Sequence, residues 1–426
     1  MALAVLLRLA TAIWLGDTIE GAQQVRVYDQ HSYNALAQAL LAGRGYSFER
    51  AWYPGFTPAN TPTAHWSFLY PLYLAGVYAT GGFHPLAARL IQALIVGIVE
   101  TWLVYRLGRT LFSEKVGLIA AGLSAVYLYF IFYDATLMTE PFFICSVLAM
   151  LLLGLRISGE ARDLTSPQAL PLKGWGEWAL LGLIAGLAAL LRQTVLFWLP
   201  VEMAWILWAG RKRWDGWRRP LAGTLASLGV AMLVVLPWTA RNFVVYGAFL
   251  PLNSNAGYAF YAANHPNHGV HFDQDYVAPL PEDLLAQDLN EAQWTTALTR
   301  RGLAFIVEEP LRYLRLTLSK AGVQFAFWFL PESNLTSNLL RMLSFGAYLP
   351  LFIAGLVLSR RDWRRMSLIY LFVIVFNLLH ILTWAMARYR LPVDAVGLIF
   401  AALAILDLVR RLLPGENRSD SQLPAQ

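Results

Sequence analysis

The chain has 426 residues, of which 57% are hydrophobic and only 14% are charged, with a net charge of +6 and 16 tryptophans. This composition departs strongly from that of soluble domains and predicts a polytopic membrane protein. A single cysteine, Cys145, excludes a disulfide within the chain and argues against a cysteine-based metal site. Nucleic-acid binding is not indicated, because the basic residues cluster in short loops between apolar runs, as membrane topology predicts.

Ten apolar runs approach the length of about 20 residues that a helix needs to cross a bilayer core. The first run carries Arg8 and lacks a clear small-residue cleavage site, so we interpret it as a membrane helix rather than a signal peptide. The runs lie near residues 1–17, 86–105, 116–132, 139–157, 176–191, 193–209, 221–238, 341–358, 367–386 and 392–411.

A further run near 314–330 is interrupted by Arg315 and Lys320. The positive-inside rule helps to decide whether this run crosses the membrane. Four basic segments all lie on the cytoplasmic side only if the run does not cross. We therefore predict ten spans, with 314–330 as a surface or re-entrant helix, and keep eleven spans as the alternative. The basic segments are RLGRTLFSEK (106–115), RKRWDGWRR (211–219), SRRDWRR (359–365) and the segment beginning RRLL (410–413).

Two long segments, 18–85 and 239–340, then face the exterior. Within the second segment, positions 247–311 hold eight acidic and two basic residues. A low content of basic residues is typical of loops that are translocated across the membrane. We predict a single transmembrane domain over 1–413 with these two exterior loops, and a flexible cytoplasmic tail over 414–426.

The stretch RVYDQHSYNALAQALLAGRGYSF (26–48) has apolar residues at helical spacing from Tyr33 to Leu41, followed by a glycine stop at 43–45. It predicts a short amphipathic helix on the exterior membrane face. Asp29 stands just before this helix. Two interpretations stay open: a helix cap worth about 1 kcal/mol, or a general base at the boundary between water and membrane.

The stretch FYDATLMTEPFF (132–143) places Asp134 and Glu140 in a short exterior loop, with Pro141 favourable for a helix start. Capping by Thr139 or Glu140 is the simpler explanation. Together with Asp29, the two carboxylates could instead hold a sugar or a divalent metal ion.

Four arginines lie at the predicted exterior boundary, against the positive-inside trend. Charges within membrane segments are costly and need partners, so these arginines indicate an anionic ligand such as a phosphate, with snorkelling as the simpler alternative. They are Arg192, Arg241, Arg388 and Arg390. His65 and His380 are lone imidazoles, which are typical of structural groups.

Taken together, these pieces resemble the GT-C membrane glycosyltransferases of the family 39 type, the group of protein O-mannosyltransferases and bacterial aminoarabinose transferases. The segments that carry the resemblance occur in family order over most of the chain. They are YDQHSYNALAQALLAGRGYSF, PTAHWSFLYPLYLAGVY (62–78), LMTEPFF (137–143), GLIAGLAALLRQ (182–193), LPWTARNFVVYGAF (236–249) and ARYRLPV (387–393).

The resemblance implies an all-α, GT-C-like bundle in the inner (plasma) membrane and an inverting hexosyl- or pentosyltransferase of the cell envelope. The donor would be a polyprenyl-phosphate sugar, and the acceptor a lipid, glycan or protein on the exterior face. The resemblance implies that Asp29 is the catalytic base and favours Glu140 as a site residue. It also implies that the four arginines are candidates for binding the donor phosphate.

Many relatives have an Asp-Glu pair where this chain has Asp29 followed by Gln30, which argues against a metal role borrowed from them. We therefore assign no metal ligands and leave a divalent Mg or Mn ion as an open alternative. Should Asp29 need a partner carboxylate, we expect it from Asp134 or Glu140. Aromatic residues could pack on sugar faces or anchor the loops at the interface; they are Tyr28, Tyr33, Tyr46, Trp52 and Trp66.

The leading alternative function is a transporter or flippase of a lipid-linked sugar or small solute. Such proteins typically show internal repeats and broken helices at the bilayer midplane. The sequence has no such repeat, and its candidate charges lie at one face, which favours the enzyme.

Overall fold

The computed structural model describes residues 1–19, 29–161, 174–214, 216–331 and 333–412, so the predicted tail over 414–426 lies outside the described residues. Within these ranges the chain is helical. The β-type pairing in these ranges is limited to two isolated bridges, Ser47 with Pro62 and Trp52 with Thr57.

The α-helices are numbered in chain order. They are α1 Ala2–Leu15, α2 Asp29–Leu41, α3 Leu69–Gly81, α4 Pro85–Leu111, α5 Glu114–Val126, α6 Leu128–Ala135, α7 Glu140–Ser158, α8 Trp175–Leu191, α9 Val195–Gly210, α10 Arg218–Tyr246, α11 Asn255–Asn264, α12 Glu282–Leu285, α13 Glu291–Glu308, α14 Pro310–Gln324, α15 Leu335–Arg341, α16 Ala347–Ser359, α17 Trp363–Leu382 and α18 Leu391–Leu412. Short 3-10 turns occupy Pro266–His268, Arg360–Asp362 and Ala387–Arg390, and a π-helical segment, Met342–Gly346, joins α15 to α16.

Five helical stretches in the described residues are long and apolar enough to cross a membrane, and α5 with α6 forms a sixth if this pair, bent by 59°, is one span. The chain is therefore a multi-pass membrane protein, as predicted. The number of crossings, ten or eleven, stays a prediction. The five stretches are Pro85–Leu111, Glu140–Ser158, Arg218–Tyr246, Leu335–Leu382 and Ala387–Leu412, and the shorter apolar helices are α1, α8 and α9.

The stretch Leu335–Leu382 spans 48 residues and turns back on itself. Arg365, near its middle, donates a hydrogen bond to the carbonyl of Glu160, just after α7. In contrast, Phe345 lies under the Arg390 guanidinium, and the ring of His380 lies 4.8 Å from that of Tyr389. Both ends of the stretch therefore lie near the start of α18, so α16 and α17 run in opposite directions.

Three of the predicted cytoplasmic segments meet at one end of the bundle, which we call the basic end. Arg365 donates to the carbonyls of Glu160 and Thr110, and the Trp214 indole donates to the carbonyl of Ile157 at 3.1 Å. Segments 106–115, 211–219 and 359–365 thus share one side of the bundle, as the positive-inside pattern predicts.

At the opposite end, residues from the two long predicted loops pack into one cap around a buried carboxylate. Glu291, in the first turn of α13, is 4% exposed. Its side chain accepts hydrogen bonds from four groups in three segments, because a buried carboxylate needs several donors. The donors are the Thr57 hydroxyl (2.6 Å), the Ala64 backbone N–H (2.7 Å), the Ser254 hydroxyl (2.9 Å) and the Tyr246 hydroxyl (3.3 Å).

Helix α14 covers the start of the ambiguous run at 314–330 and is not among the candidate spans of the described residues. The Tyr313 hydroxyl donates to the carbonyl of Leu382 at 3.1 Å, and the Gln324 amide donates to the Asn377 side chain at 3.3 Å. The helix therefore lies along the half of α17 that is nearer the cap, a position that suits a surface or re-entrant helix.

Lys320 of α14 is fully buried and donates to the Asn264 side chain at 3.0 Å. Burial, with a smaller effect of Arg312, lowers the pKa of Lys320 to about 7. An unfolded lysine titrates near 10.4, so between about pH 7 and 10 the unfolded state binds more protons than the folded state and the free energy of unfolding rises with pH. Below pH 7 the folded protein carries the whole cost of this buried charge.

We expect Lys320→Met to raise the free energy of unfolding more at pH 6.5 than at pH 9.5. The difference between the two effects should be on the order of 1.4 kcal/mol for each unit by which the pKa of Lys320 is lowered within this pH range. Thermal unfolding in detergent at both pH values measures this. The matched control is Lys115→Met, an exposed lysine whose removal should change the unfolding temperature equally at both pH values. Parallel pH curves for Lys320→Met and the wild type would contradict the assignment.

Candidate active site

Helix α2 brings Asp29 and Tyr33 to the cap end of the bundle. The predicted helix is present and ends before Gly43 and Gly45, whose positive φ angles of 72° and 70° suit glycine. Asp29 lies in the first turn, where the free backbone N–H groups favour a negative charge. Position 28, and with it the predicted aromatic role of Tyr28, lies outside the described residues.

Four charged side chains form a continuous row, which we call the ionic cluster: Asp29, Arg388, Glu140 and Arg192. The Arg388 guanidinium lies 2.6 Å from a carboxylate oxygen of Asp29 and 3.7 Å from one of Glu140. Arg192 lies 2.6 Å from the same Glu140 oxygen. Negative and positive groups alternate along the row, so each charge has an opposite charge beside it.

Helix ends position the members of the ionic cluster. Glu140 opens α7 just before Pro141, which confirms the predicted helix start. Arg192 follows the last residue of α8, and Arg388 lies in the 3-10 turn between α17 and α18. Segments far apart in the sequence therefore deliver their charges to one end of the bundle, where irregular backbone interrupts the helices.

The members differ in how far they are buried. The Asp29 side chain is 21% exposed, whereas that of Glu140 is only 2% exposed. Arg388 and Arg192 are 14% and 15% exposed. A group that exchanges a proton with a substrate has to be reachable. Asp29 fits that role, and Glu140 fits the role of an inner counter-ion that holds the two arginines.

Aromatic rings line the ionic cluster. The ring of Tyr389 lies 4.6 Å from the Arg192 guanidinium and 5.3 Å from that of Arg388, within the range of cation–π contacts. Tyr33 is buried and meets the ring of Trp66 edge-on at 5.7 Å. Burial first, and then the Asp29 carboxylate, raise the pKa of Tyr33, so its hydroxyl stays protonated.

The structure does not bring Asp134 to the ionic cluster. Asp134 lies 2.5 Å from Arg8, which also lies 3.3 Å from Glu100, and all three side chains are fully buried. The predicted second-carboxylate role is thus corrected to a structural one for Asp134, because α6 turns this side chain toward α1 and α4. Of the two candidates, Glu140 is the one brought beside Asp29.

Arg241 and Arg390 also lie elsewhere, with other partners. Arg241 donates to the carbonyl of Thr63 at 2.9 Å and so holds a loop of the cap. Arg390 is fully buried, pairs with Asp394 at 2.8 Å and donates to the carbonyl of Gln324. Their predicted phosphate role is not supported by this geometry, since their charges are used to hold the fold.

Gln30, where many relatives are expected to have Glu, also has a structural role. Its side-chain oxygen accepts hydrogen bonds from Arg89 at 3.0 Å and from the Leu137 backbone N–H at 3.1 Å. Across the described ranges, no group of three or more His, Cys, Asp or Glu side chains lies where it could hold a metal ion.

The sequence matches one family model, described as dolichyl-phosphate-mannose-protein mannosyltransferase, over residues 65–240, which is less than half of the chain. No curated protein matches the sequence significantly. Among solved structures, the chain is similar to the oligosaccharyltransferase of Archaeoglobus fulgidus. The apo form has a TM-score of 0.56 at 15% identity over 96% of this chain, and a complex of AglB with dolichol-phosphate and an inhibitory peptide has 0.54 at 16%.

The chain spans about half the length of these oligosaccharyltransferases, since it covers 50% of each. ArnT of Cupriavidus metallidurans, bound to undecaprenyl phosphate, also matches, with a TM-score of 0.44 at 13% identity over 97% of this chain and 79% of that one. At these identities the oligosaccharyltransferase matches establish the fold. With the family match, they confirm the resemblance to GT-C membrane glycosyltransferases of the mannosyltransferase type.

The buried Arg8 group yields a stability prediction. We expect Arg8→Met to destabilise the protein by about 3–5 kcal/mol, because it leaves Glu100 and Asp134 buried without their cation. Thermal unfolding in detergent measures this. Adding Glu100→Gln and Asp134→Asn should recover much of the loss. The control is Arg411→Gln, which removes an exposed pair with Asp407 and should change little. Equal unfolding temperatures for Arg8→Met and the wild type would contradict the structural role.

Proposed function

We propose that the protein is an inverting glycosyltransferase that moves a sugar from a polyprenyl-phosphate donor to an acceptor on the exterior face of the membrane. The observation that carries the proposal is the ionic cluster, in which an accessible carboxylate and two guanidinium groups share one small site. A base for the acceptor and cations for a lipid phosphate are the two requirements of this reaction.

The orientation follows from the charge of the opposite end. Segments 106–115, 211–219 and 359–365 are rich in Lys and Arg, and such segments stay in the cytoplasm. The ionic cluster lies at the other end of the bundle, so it would face the exterior, which is the periplasm if the membrane is an inner membrane.

The reaction can be written on the residues of the cluster. Asp29 accepts the proton of an acceptor hydroxyl or amine while that oxygen or nitrogen attacks the anomeric carbon. The bond between this carbon and the phosphate oxygen breaks on the opposite side, and the phosphate leaves with the electron pair. Arg192 and Arg388 neutralise the added negative charge. Attack and departure on opposite sides give inversion at the anomeric carbon.

The position of the arginines suits a lipid donor. A polyprenyl tail lies in the bilayer with its phosphate at the interface, and Arg192 and Arg388 lie at helix ends of the bundle. Guanidinium groups favour phosphate through paired N–H donors. The similar archaeal oligosaccharyltransferase was solved with dolichol-phosphate, which supports a lipid phosphate as the donor group here.

The first test is Asp29→Asn, assayed as transfer of label from polyprenyl-phosphate hexoses and pentoses to lipid, glycan and peptide acceptors. Losing the general base should lower kcat by about 10²–10⁴-fold with the fold intact. The control is Asp283→Asn, which removes an exposed carboxylate paired with Arg301 in the cap and should keep full activity. Full transfer by Asp29→Asn would refute the proposed base.

The same assay separates the enzyme from a transporter or flippase. A transporter would move the labelled lipid between the leaflets of liposomes and form no glycosylated product. Wild-type protein that moves the lipid but transfers label to no acceptor would refute the proposed function.

The second test concerns Arg192, assayed by the binding of unlabelled polyprenyl phosphate. A charge-assisted hydrogen bond is worth about 1.5–3 kcal/mol, so Arg192→Gln should weaken binding by about 10- to 150-fold. Arg192→Lys keeps the charge but not the fork of donors and should lie between Arg192→Gln and the wild type. Arg301→Gln, in the exposed pair of the cap, is the control. Unchanged binding by a folded Arg192→Gln variant would exclude Arg192 as a phosphate ligand.

A further inference from the structure

Two neighbouring side chains of the loop before α3 carry buried polar atoms without partners. Within the described residues, neither the Nδ1 atom of His65 nor the Nε1 atom of Trp66 has a hydrogen-bond partner. His65 is 4% exposed. Buried polar atoms in proteins are nearly always hydrogen-bonded, and leaving one unpaired is costly. Two such atoms on adjacent residues therefore make this place a candidate ligand site.

The pair lies beside the ionic cluster. The ring of Trp66 meets that of Tyr33 edge-on at 5.7 Å, and Tyr33 is in the electrostatic field of Asp29 and Arg388. Rings of Tyr53 and Trp66 pack around the imidazole of His65, at 6.2 and 5.4 Å. Ring contacts thus run from Tyr33 through Trp66 and His65 to Tyr53, whose side chain is 45% exposed.

The pair is uncharged at neutral pH. Burial lowers the pKa of His65 to about 4, and the carboxylates of Glu291 and Asp29 offset only part of this effect. Glu291 is already engaged by four donors, so its charge is compensated without His65. The imidazole is therefore neutral, with one nitrogen able to donate and the other able to accept.

We propose that His65 and Trp66 form a subsite for the hydroxyl groups of an uncharged sugar ring beside the ionic cluster. This inference rests on the proposed glycosyltransferase function and adds the chemical class of the carbohydrate. The indole N–H of Trp66 can only donate, so its partner has to accept. A sugar hydroxyl accepts from Trp66 and also donates to the imidazole of His65.

An ammonium group at the same position fails this requirement. It has three donors and no acceptor, so the Trp66 N–H would stay unpaired in a buried site. A site built to pair with a hydroxyl rejects analogues that leave its polar groups unsatisfied. The structure therefore assigns neutral hexoses or pentoses, rather than amino sugars that are cationic at this hydroxyl, to the subsite.

The test measures kcat/KM of the full chain with two polyprenyl-phosphate donors, a neutral pentose and its 4-amino-4-deoxy analogue, and with a neutral glycan acceptor. We expect the wild type to prefer the neutral pentose. Trp66→Phe keeps the aromatic ring but removes the N–H. It should lower kcat/KM for the neutral sugar by about 5- to 150-fold, the value of one buried hydrogen bond, and narrow the preference between the two donors.

A matched control removes the same atom elsewhere. Trp238 is also buried, with an Nε1 atom that has no partner in the described part of the chain, and its ring stacks on Phe68 at 4.4 Å. Trp238→Phe should leave the preference between donors unchanged.

For His65, Asn places a polar atom near the Nδ1 position, so His65→Asn should retain more kcat/KM than His65→Phe. Unfolding temperatures verify that each variant is folded.

The outcomes separate the possible sources of the sugar. A loss in the donor kcat/KM places the transferred sugar in the subsite, and a loss confined to the acceptor KM places an acceptor glycan there. Either result supports the subsite. If the wild type transfers label but folded Trp66→Phe and His65→Phe keep its kinetics, or if it prefers the amino sugar, the subsite is refuted while the proposed function stands. If the wild type transfers no sugar from any donor, the proposed function itself fails.

Discussion

Arg388 lies between two carboxylates, and the candidate site depends on this one cation. It contacts Asp29 at 2.6 Å and Glu140 at 3.7 Å, and so joins a surface helix to a membrane helix. A charge at the end of an apolar bundle is stable only with a partner. The need to pair Arg388 therefore fixes α2 against the bundle and holds the Asp29 carboxylate in one place.

Burial separates the charges that hold the bundle from those that can meet a substrate. The charged groups around Arg8 and Arg390 are fully buried and are paired with opposite charges of the protein. Asp29, Arg388 and Arg192 are paired too, yet each keeps 14–21% of its side chain exposed. The two arginines therefore stay open to a further anion such as a phosphate, while Glu140, only 2% exposed, keeps them paired from the inner side.

Hydropathy and charge predicted the fold class, the helix over Tyr33 to Leu41 and the helix end at Arg192, because these features are local in sequence; the structure begins that helix four residues earlier, at Asp29. They could not tell which way each charge faces. Asp134 and Glu140 stand six positions apart, yet α6 turns Asp134 toward Arg8 while α7 brings Glu140 to Arg388. Likewise, Arg390 follows Arg388 by two positions and turns away to Asp394. Asp134 and Glu140 find partners in distant segments, which depends on packing that a single sequence does not display, whereas Arg390 pairs with Asp394 one helical turn away.

His65 is a residue that sequence reasoning did not assign to the site, because a lone imidazole in a sequence is typical of a structural group. What distinguishes it is the surrounding cap, where Glu291 accepts hydrogen bonds from three segments, while Nδ1 of the neighbouring imidazole has no partner among the residues that the structure describes. The charged side chains of the ionic cluster and the uncharged pair of His65 and Trp66 therefore occupy different parts of the candidate site. The two arginines that the proposed mechanism assigns to the lipid phosphate lie at helix ends, and the neutral pair that we propose for the sugar lies in the cap. Asp29 pairs with Arg388, and its carboxylate also acts on the imidazole of His65, so the proposed base adjoins both groups.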